Sequence, residues 1–280
     1  MALETQESGK VSWLSDDLVG RILTRIEVKE DRKSFSEVCK QWLRVEGLSR
    51  SSLVVLHRHD FLITALTRFP NLVKFKTWKP ITDTDLEFLA KTCPQLETIK
   101  LKWRQEDGDG GVITGRGLRA LGNGCPKLGE VRFRGEGRIG DSGVAVLLDC
   151  AVNLKCLCLG RNSLISDETF EALGSASLCS LDTLKLKDCN NITDRVLGFL
   201  ASGNTSQTLR KLIVRCHRIT DTGIALLSGK MRVLEILGLS LGAEESFTGT
   251  ACVAVSAIQN LKVLIFDDPW YYVCPNNVAI

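Results

Sequence analysis

The chain has 280 residues, of which 44% are hydrophobic and 25% are charged, with a formal net charge of +3. This composition is that of a soluble globular protein, and the charge is too small to imply a nucleic-acid partner by itself. No apolar run approaches the roughly 18 residues that would predict a membrane span. Residues 1–13 also lack the apolar segment of a signal peptide. The eleven cysteines include no C-x-x-C pair, so we expect reduced thiols and a location in the nucleus or cytoplasm.

The first predicted elements are two short amphipathic helices within residues 14–45. Ser15 or Asp16 can cap the first helix, and the second follows the charged segment 27–33. Two such helices bury little surface on their own, so their exposed apolar positions predict a binding partner. Those positions are Leu18, Ile22, Leu23 and Ile26 in the first helix, and Phe35, Val38, Cys39 and Trp42 in the second.

A repeat with a period of about 26 to 27 residues organises most of the remaining chain. Each unit opens with an apolar residue, then Thr, Ser or Gly, then Asp or Gly, and most of these types suit a helix N-cap. Apolar residues five and eight positions later share one helical face. The pattern Leu-x-x-Leu-x-Leu then predicts a short strand with one buried face. The units begin at Ile81, Ile113, Ile139, Ile165, Ile192, Ile219 and Phe247.

A glycine motif, Gly135-x-Gly137-x-x-Gly140, has the spacing of a dinucleotide-binding loop. However, Ile139 begins a repeat unit, and Gly140 fills a slot where the sibling units have Thr or Ser. The next strand ends at Gly160, whereas a dinucleotide site needs an acid there. We therefore interpret the motif as a turn between two units.

Two other segments resemble metal sites only superficially. His57 and His59 have no second ligand pair at metal-site spacing, so we expect surface histidines at the end of a strand. Asp107 and Asp109 alternate as in a calcium loop, but Leu118 stands where the loop needs a bidentate Glu. The sequence therefore predicts no metal and no other cofactor.

The cysteines are expected to serve packing. Most of them fall at repeat positions where a small apolar side chain fits. Cys156 and Cys158 lie in one predicted strand, and we expect their side chains to point to opposite faces, so that they share neither a metal nor a disulfide.

The residues that alternate with the buried strand positions are predominantly basic. Eight of these sixteen positions are Lys or Arg, against one acid. One interpretation is a solvated sheet surface, on which Lys is common. The other is a docking surface for an acidic or phosphorylated segment of a target protein. The candidate target-binding residues are Lys76, Trp78, Lys100, Lys102, Arg132, Arg134, Lys185, Lys187 and Arg215.

The repeat resembles the cysteine-containing leucine-rich repeat over roughly residues 72–268. The closest copy is "LDTLKLKDCNNITD", residues 181–194, with Cys189 at the strand-end position typical of that class. The resemblance implies an α/β solenoid in which parallel strands line a concave face and helices cover the convex face.

The N-terminal segment resembles an F-box, a module of roughly 40 residues that binds a Skp-type adaptor of cullin ubiquitin ligases. The family usually has Pro after the first Leu, where this chain has Ser15. The resemblance implies that the adaptor contacts include Leu14, Leu18, Ile22, Leu23, Val38, Cys39 and Trp42.

The combination of an F-box with leucine-rich repeats resembles the plant F-box substrate receptors that carry such repeats. They imply a disordered tail (1–12), an F-box (13–50) and about seven to eight repeat units (51–280). We therefore expect a non-catalytic receptor that binds the adaptor, and through it a cullin, and holds a target protein on the concave face. Two alternatives stay open: a hormone or small-molecule co-receptor with a pocket roofed by Trp78 or Trp103, and a scaffold that binds no ligase.

Overall fold

The computed structural model describes residues 14–56, 62–103, 113–135, 139–175, 181–240 and 248–267. Within these ranges helices and strands alternate through most of the chain. The helices are α1 (Asp16–Thr24), α2 (Lys29–Glu37), α3 (Lys40–Ser49), α4 (Leu62–Arg68), α5 (Asp83–Thr92), α6 (Gly115–Gly124), α7 (Asp141–Cys150), α8 (Glu168–Ser175), α9 (Asp194–Ser202), α10 (Thr205–Thr208), α11 (Asp221–Leu227) and α12 (Gly249–Ser256). The strands are β1 (Ser52–Val55), β2 (Lys74–Thr77), β3 (Thr98–Lys102), β4 (Glu130–Arg134), β5 (Cys156–Gly160), β6 (Thr183–Lys187), β7 (Lys211–Arg215), β8 (Ile236–Ser240) and β9 (Val263–Asp267).

The N-terminal segment forms three helices, where the sequence had predicted two. Residues 29–33 of the charged segment belong to α2, and Cys39 takes an extended conformation (φ −162°, ψ 171°) that separates α2 from α3. Ser15 caps α1 by accepting a hydrogen bond from the Leu18 N–H. Asp16 instead accepts hydrogen bonds from Gln41 and Arg44 of α3. The three helices enclose a small core of Val19, Leu23, Phe35 and Val45.

The nine strands form one parallel sheet in strict sequence order from β1 to β9. Each strand follows a helix, so successive units stack side by side and share one continuous apolar core between the sheet and the helices. The predicted alternation is confirmed. Ile99 and Leu101 of β3 are buried, for example, while Lys100 and Lys102 lie on the other face of the sheet.

The predicted helix caps are confirmed in most units. The Thr hydroxyl in the second slot of the unit accepts a hydrogen bond from a backbone N–H in the first turn of its own helix. This bond is formed by Thr82, Thr114, Thr193, Thr220 and Thr248.

The Asp in the third slot has a function that the sequence did not reveal, because it bonds to the next unit. Asp167 accepts from the Thr193 N–H at 2.8 Å and from the Thr193 hydroxyl at 2.6 Å. Asp194 makes the same pair of bonds to Thr220, at 2.8 and 2.6 Å. Equivalent pairs join Asp83 to Thr114, Asp141 to Ser166 and Asp221 to Thr248. A ladder of carboxylates therefore links the N-termini of neighbouring helices.

The ladder is interrupted at one junction, and both partners are replaced there. Gly115 stands where all other units except the last, which has Gly249, have Asp, and Gly140 stands where the next unit would supply Thr or Ser. Gly140 is the N-cap of α7 and has no side-chain cap hydrogen bond. Because the carboxylate and its hydroxyl partner are both replaced at this junction, neither group is left buried without the other. A buried polar group without a hydrogen-bond partner would be costly. This explains Gly140 of the glycine motif as a repeat position.

Among the described helices, none is long and apolar enough to cross a membrane.

We predict that Asp167→Ala lowers the free energy of unfolding by about 2 kcal/mol, because two charge-assisted hydrogen bonds between units are lost. Asp167→Asn keeps one acceptor and should lose roughly half as much. Urea unfolding of both variants measures the difference. A control is Asp149→Ala, which removes an exposed carboxylate of α7. Equal stability of the Asp167→Ala and Asp149→Ala variants would show that the ladder does not stabilise the solenoid.

Candidate interaction surfaces

The helical segment exposes apolar side chains on α1 and at the α2–α3 break. Leu18 is 44% exposed, Ile22 40% and Val38 56%. Leu18 and Ile22 are four residues apart, so they lie on one face of α1. Exposed apolar side chains of this size are available to a partner.

The other predicted adaptor-binding residues are less accessible. Leu14, Cys39 and Trp42 are half-buried, and the Trp42 ring lies 4.3 Å from the Phe35 ring between centroids. Leu23 is only 1% exposed and forms part of the small core. This corrects the prediction for Leu23, because an enclosed side chain cannot contact a partner directly. Its contribution to such an interface is to hold α1 against α2 and α3.

Sequence reasoning missed three further exposed apolar residues of the helical segment. They are Val28, Leu43 and Leu48. Leu43 directly follows Trp42 in α3, and Val28 is the N-cap of α2. The helix break at Cys39 changes which positions of α3 face outward, so a pattern interpreted as one helix could not identify Leu43 and Leu48.

A buried carboxylate joins the helical segment to the first repeat. Glu46 of α3 is completely buried. Its two oxygens bind the guanidinium groups of Arg50 at 2.5 Å and of Arg68, in α4, at 2.6 Å. Both guanidinium groups also lie over the Phe69 ring, at 5.2 and 5.1 Å from its centroid. In addition, a Cβ atom at Gly47 would lie 2.5 Å from the Arg68 carbonyl oxygen, so only glycine permits this close approach.

The predicted basic residues lie in two rows across the concave face. We call Lys76, Lys100, Lys102, Arg132, Arg134, Lys185, Lys187 and Arg215 together the basic strip. Strand register places Lys76, Lys100 and Arg132 side by side in the middle row, followed by Cys158 and Lys185. The row nearer the strand ends contains Lys102, Arg134, Gly160, Lys187 and Arg215.

A third row, not considered in the sequence analysis, supplies an acid to this face. Glu130 accepts a hydrogen bond from Arg132, and the Lys100 ammonium lies 3.4 Å from the same carboxylate oxygen. Burial alone would raise the pKa of Glu130, but the bond to Arg132 and the charges of Arg132 and Lys100 lower it. Glu130 therefore supplies a counter-charge that reduces the repulsion between Lys100 and Arg132.

Positive charge also gathers around Lys187. Burial, followed by the positive charges of Arg215, Lys185 and Arg134, lowers the pKa of the Lys187 ammonium. Gly160 lies between Arg134 and Lys187, because a Cβ atom there would lie 3.4 Å from the Lys187 carbonyl oxygen, 3.7 Å from Arg134 Cγ and 3.8 Å from Lys187 Cβ. This part of the basic strip has the strongest electrostatic reason to bind an anionic group.

The two tryptophans near the strip have different environments. Trp78 is exposed, and the Lys76 ammonium lies 4.5 Å from the centroid of a Trp78 ring. Trp103 is buried and packs against Gly135, whose φ of 147° and missing side chain make room for the indole. A side chain at Gly135 would overlap that ring. Trp103 is therefore a packing residue and does not roof an open pocket.

The two cysteines of β5 lie on the same face of the sheet. Their Sγ atoms are 3.9 Å apart, and both side chains are half-buried on the concave surface. The prediction of opposite faces was wrong, since residues two positions apart on a strand point to the same side. The other calls on metal-like motifs concern His57, His59 and residues 105–111, which lie outside the described part of the chain.

Comparisons with known proteins agree with the two-part architecture. A family model described as F-box matches residues 11–52. The leucine-rich repeat-containing protein LegL7 from Legionella pneumophila is similar in structure, with a TM-score of 0.55 at 14% identity, covering 90% of this chain and 87% of that one. The chain therefore consists of a short helical F-box followed by a leucine-rich-repeat solenoid, an α/β fold.

Two further structures match the chain with lower TM-scores. One is a TLR13–ssRNA13 complex, with a TM-score of 0.48 at 19% identity. The match covers 77% of this chain, which spans only 31% of that one. The other is the Rad7 and Elc1 complex in yeast, with a TM-score of 0.40 at 16% identity, covering 89% of this chain and 81% of that one.

Proposed function

We propose that the protein is a non-catalytic substrate receptor of a cullin-type ubiquitin ligase, acting in the nucleus or cytoplasm. The observation that carries this proposal is an F-box with exposed apolar side chains joined to a repeat solenoid. The F-box binds a Skp-type adaptor and, through it, a cullin. The concave face of the repeats binds the target protein.

In this proposal the chain accelerates ubiquitin transfer by position alone. A target held on the solenoid has a high effective concentration near an enzyme carried elsewhere in the complex. This requires a defined geometry between the two binding surfaces. The Glu46 network supports such a geometry, because it ties the last F-box helix to the first helix of the repeats.

The proposed target segment is acidic or phosphorylated. The crowding of positive charge around Lys187 supports this, since an anion at that point relieves repulsion and gains charge-assisted hydrogen bonds. Lys100 and Arg132 contribute less free charge, because they already share Glu130. Association of the target with the basic strip should be fast, and the affinity should fall as salt is added.

The adaptor surface can be tested by removing exposed side chains that have no role in the F-box core. We predict that Leu18→Ala combined with Ile22→Ala weakens binding of a purified Skp-type adaptor about 100-fold, since apolar anchors dominate small interfaces. Isothermal titration calorimetry gives the dissociation constants. Val253→Ala, which truncates an exposed valine of α12, is the matched control. Equal affinity of the double variant and the control would rule out this surface as the adaptor site.

The target surface can be tested with a charge reversal at its most crowded position. We predict that Lys187→Glu abolishes binding to acidic and phosphorylated peptides on an array. It should also stabilise the free protein by about 0.5 kcal/mol, because the new carboxylate pairs with its basic neighbours. Lys91→Glu makes the same change on an exposed position of α5. Peptide binding that is equal in both variants, at low and high salt, would mean that the strip is only a solvated surface.

A further inference from the structure

The Cys156 and Cys158 pair differs in its surroundings from the cysteines of the core. Cys93 and Cys125 are buried in the core, where desolvation raises the thiol pKa to about 11 and about 12 respectively. A thiol with so high a pKa is inert, because the thiolate is the reactive form. The β5 pair is half-buried and lies on the open concave surface instead.

The two thiols have neighbours of opposite character. Strand register places Cys158 between Arg132 and Lys185, two cations. It places Cys156 between Glu130 and Thr183, so its neighbour is a carboxylate. Negative charge on sulfur is therefore favoured at Cys158 and disfavoured at Cys156. The charged or titratable groups that act on the Cys158 thiol are Glu130, Arg132, Cys156, Lys185 and Lys187.

The electrostatics of the pair agree with this geometry. The hydrogen bond between the two thiols lowers the pKa of Cys158, and the charges of Arg132 and Lys185 lower it further against the effect of burial. The same hydrogen bond, together with burial and the charge of Glu130, raises the pKa of Cys156. The neighbouring charges thus favour the thiolate at Cys158 over the thiolate at Cys156, and the two Sγ atoms are 3.9 Å apart.

We propose that Cys156 and Cys158 form a peroxide-sensitive dithiol on the concave face, in which Cys158 is the attacking thiolate and Cys156 the resolving thiol. The Cys158 thiolate attacks one oxygen of hydrogen peroxide, the O–O bond breaks, and hydroxide leaves, so that the sulfur is oxidised to a sulfenic acid. The Cys156 sulfur then attacks the Cys158 sulfur. The S–O bond breaks, and the hydroxyl group leaves as water with the proton of the Cys156 thiol. Peroxide is reduced and the two thiols become one disulfide.

The bond requires a local bend of β5. Two residues of a regular strand advance the chain by about 6.6 Å, which is at the upper end of the roughly 4.4 to 6.8 Å between Cα atoms in disulfides. The side chains share one face, and the Sγ atoms are already in contact. This inference concerns the chemistry of the free chain, so it stands or fails independently of the proposed ligase function.

The sequence around the pair makes a direct test simple. Trypsin cleaves after Lys155 and after Arg161, which releases a hexapeptide that contains Cys156, Cys158 and no other cysteine. The full-length chain is treated with hydrogen peroxide, the remaining thiols are alkylated, and the hexapeptide is measured by mass spectrometry. We expect a hexapeptide that has lost two hydrogens and takes up no alkyl group, and reduction should restore two alkylation sites.

Cys189 and Cys216 are the internal control, because they also contact each other but lie in the core. We expect the β5 pair to oxidise at least about tenfold faster than that pair. Cys156→Ser should leave a sulfenic acid on Cys158 that dimedone traps, whereas Cys158→Ser should leave Cys156 unreactive. The proposal is overturned if the hexapeptide forms no disulfide, if the core pair oxidises equally fast, or if Cys158→Ser leaves Cys156 as reactive as before.

Discussion

Leu23→Ala is expected to unfold the F-box and to abolish adaptor binding while the repeats stay folded. Leu23 is one of four residues in the small helical core and is almost fully enclosed. Truncation of a buried leucine costs about 3 kcal/mol, which is large for a core of this size. The repeat core is a separate cluster of buried residues, so the loss should not spread to the strands.

Hydrogen exchange measures this outcome directly. Amides of α1 to α3 should lose protection in the Leu23→Ala variant, and amides of β3 to β8 should keep theirs. Leu18→Ala is the control on the same helix, because it shortens an exposed leucine and should leave protection unchanged. Normal protection of α1 in the Leu23→Ala variant would contradict the assignment of Leu23 to the core.

Glu46→Ala is expected to loosen the connection between the F-box and the repeats. The change removes the only carboxylate that is fully buried among the described residues, and with it the partner of Arg50 and Arg68. We expect a loss of about 2 kcal/mol. This is below the cost for a fully buried pair, because the two guanidinium groups are partly exposed and regain water.

Thermal unfolding and hydrogen exchange across α3 and α4 test this expectation. Glu87→Ala is the matched control. The Glu87 carboxylate also lies 2.5 Å from a guanidinium nitrogen, that of Arg116, but these two side chains are exposed. A surface pair of that kind contributes at most about 1 kcal/mol. If both variants lose equal stability, Glu46 does not act as a structural link.

The repeats could be predicted from the sequence because their signals are local and recur. Each unit has the same apolar spacing, so the helix and strand of an irregular unit can be placed from the regular units on either side. The caps followed from single residue types at fixed places, such as Thr193 and Thr220. The division into an F-box of residues 13–50 and repeats of residues 51–280 stays a prediction.

Features that depend on contacts between units were not predictable in the same way. The bonds from Asp167 to Thr193 join residues 26 positions apart, and a cap-forming Asp has the same sequence signature as a bridging one. Glu130 was missed because only two of the three concave rows were compared. The β5 cysteines were assigned to opposite faces by a simple error in strand periodicity, and the structure corrects it.

The proposed function depends above all on docking of the F-box to a Skp-type adaptor. The most direct measurement is light scattering of the purified full chain mixed with the adaptor, followed by hydrogen exchange on the complex. We predict a complex of one chain with one adaptor, in which α1 and the residues around Val38 gain protection and the concave strands stay as accessible as in the free chain. Absence of a complex, or a complex that protects only the repeats, would contradict the proposed function.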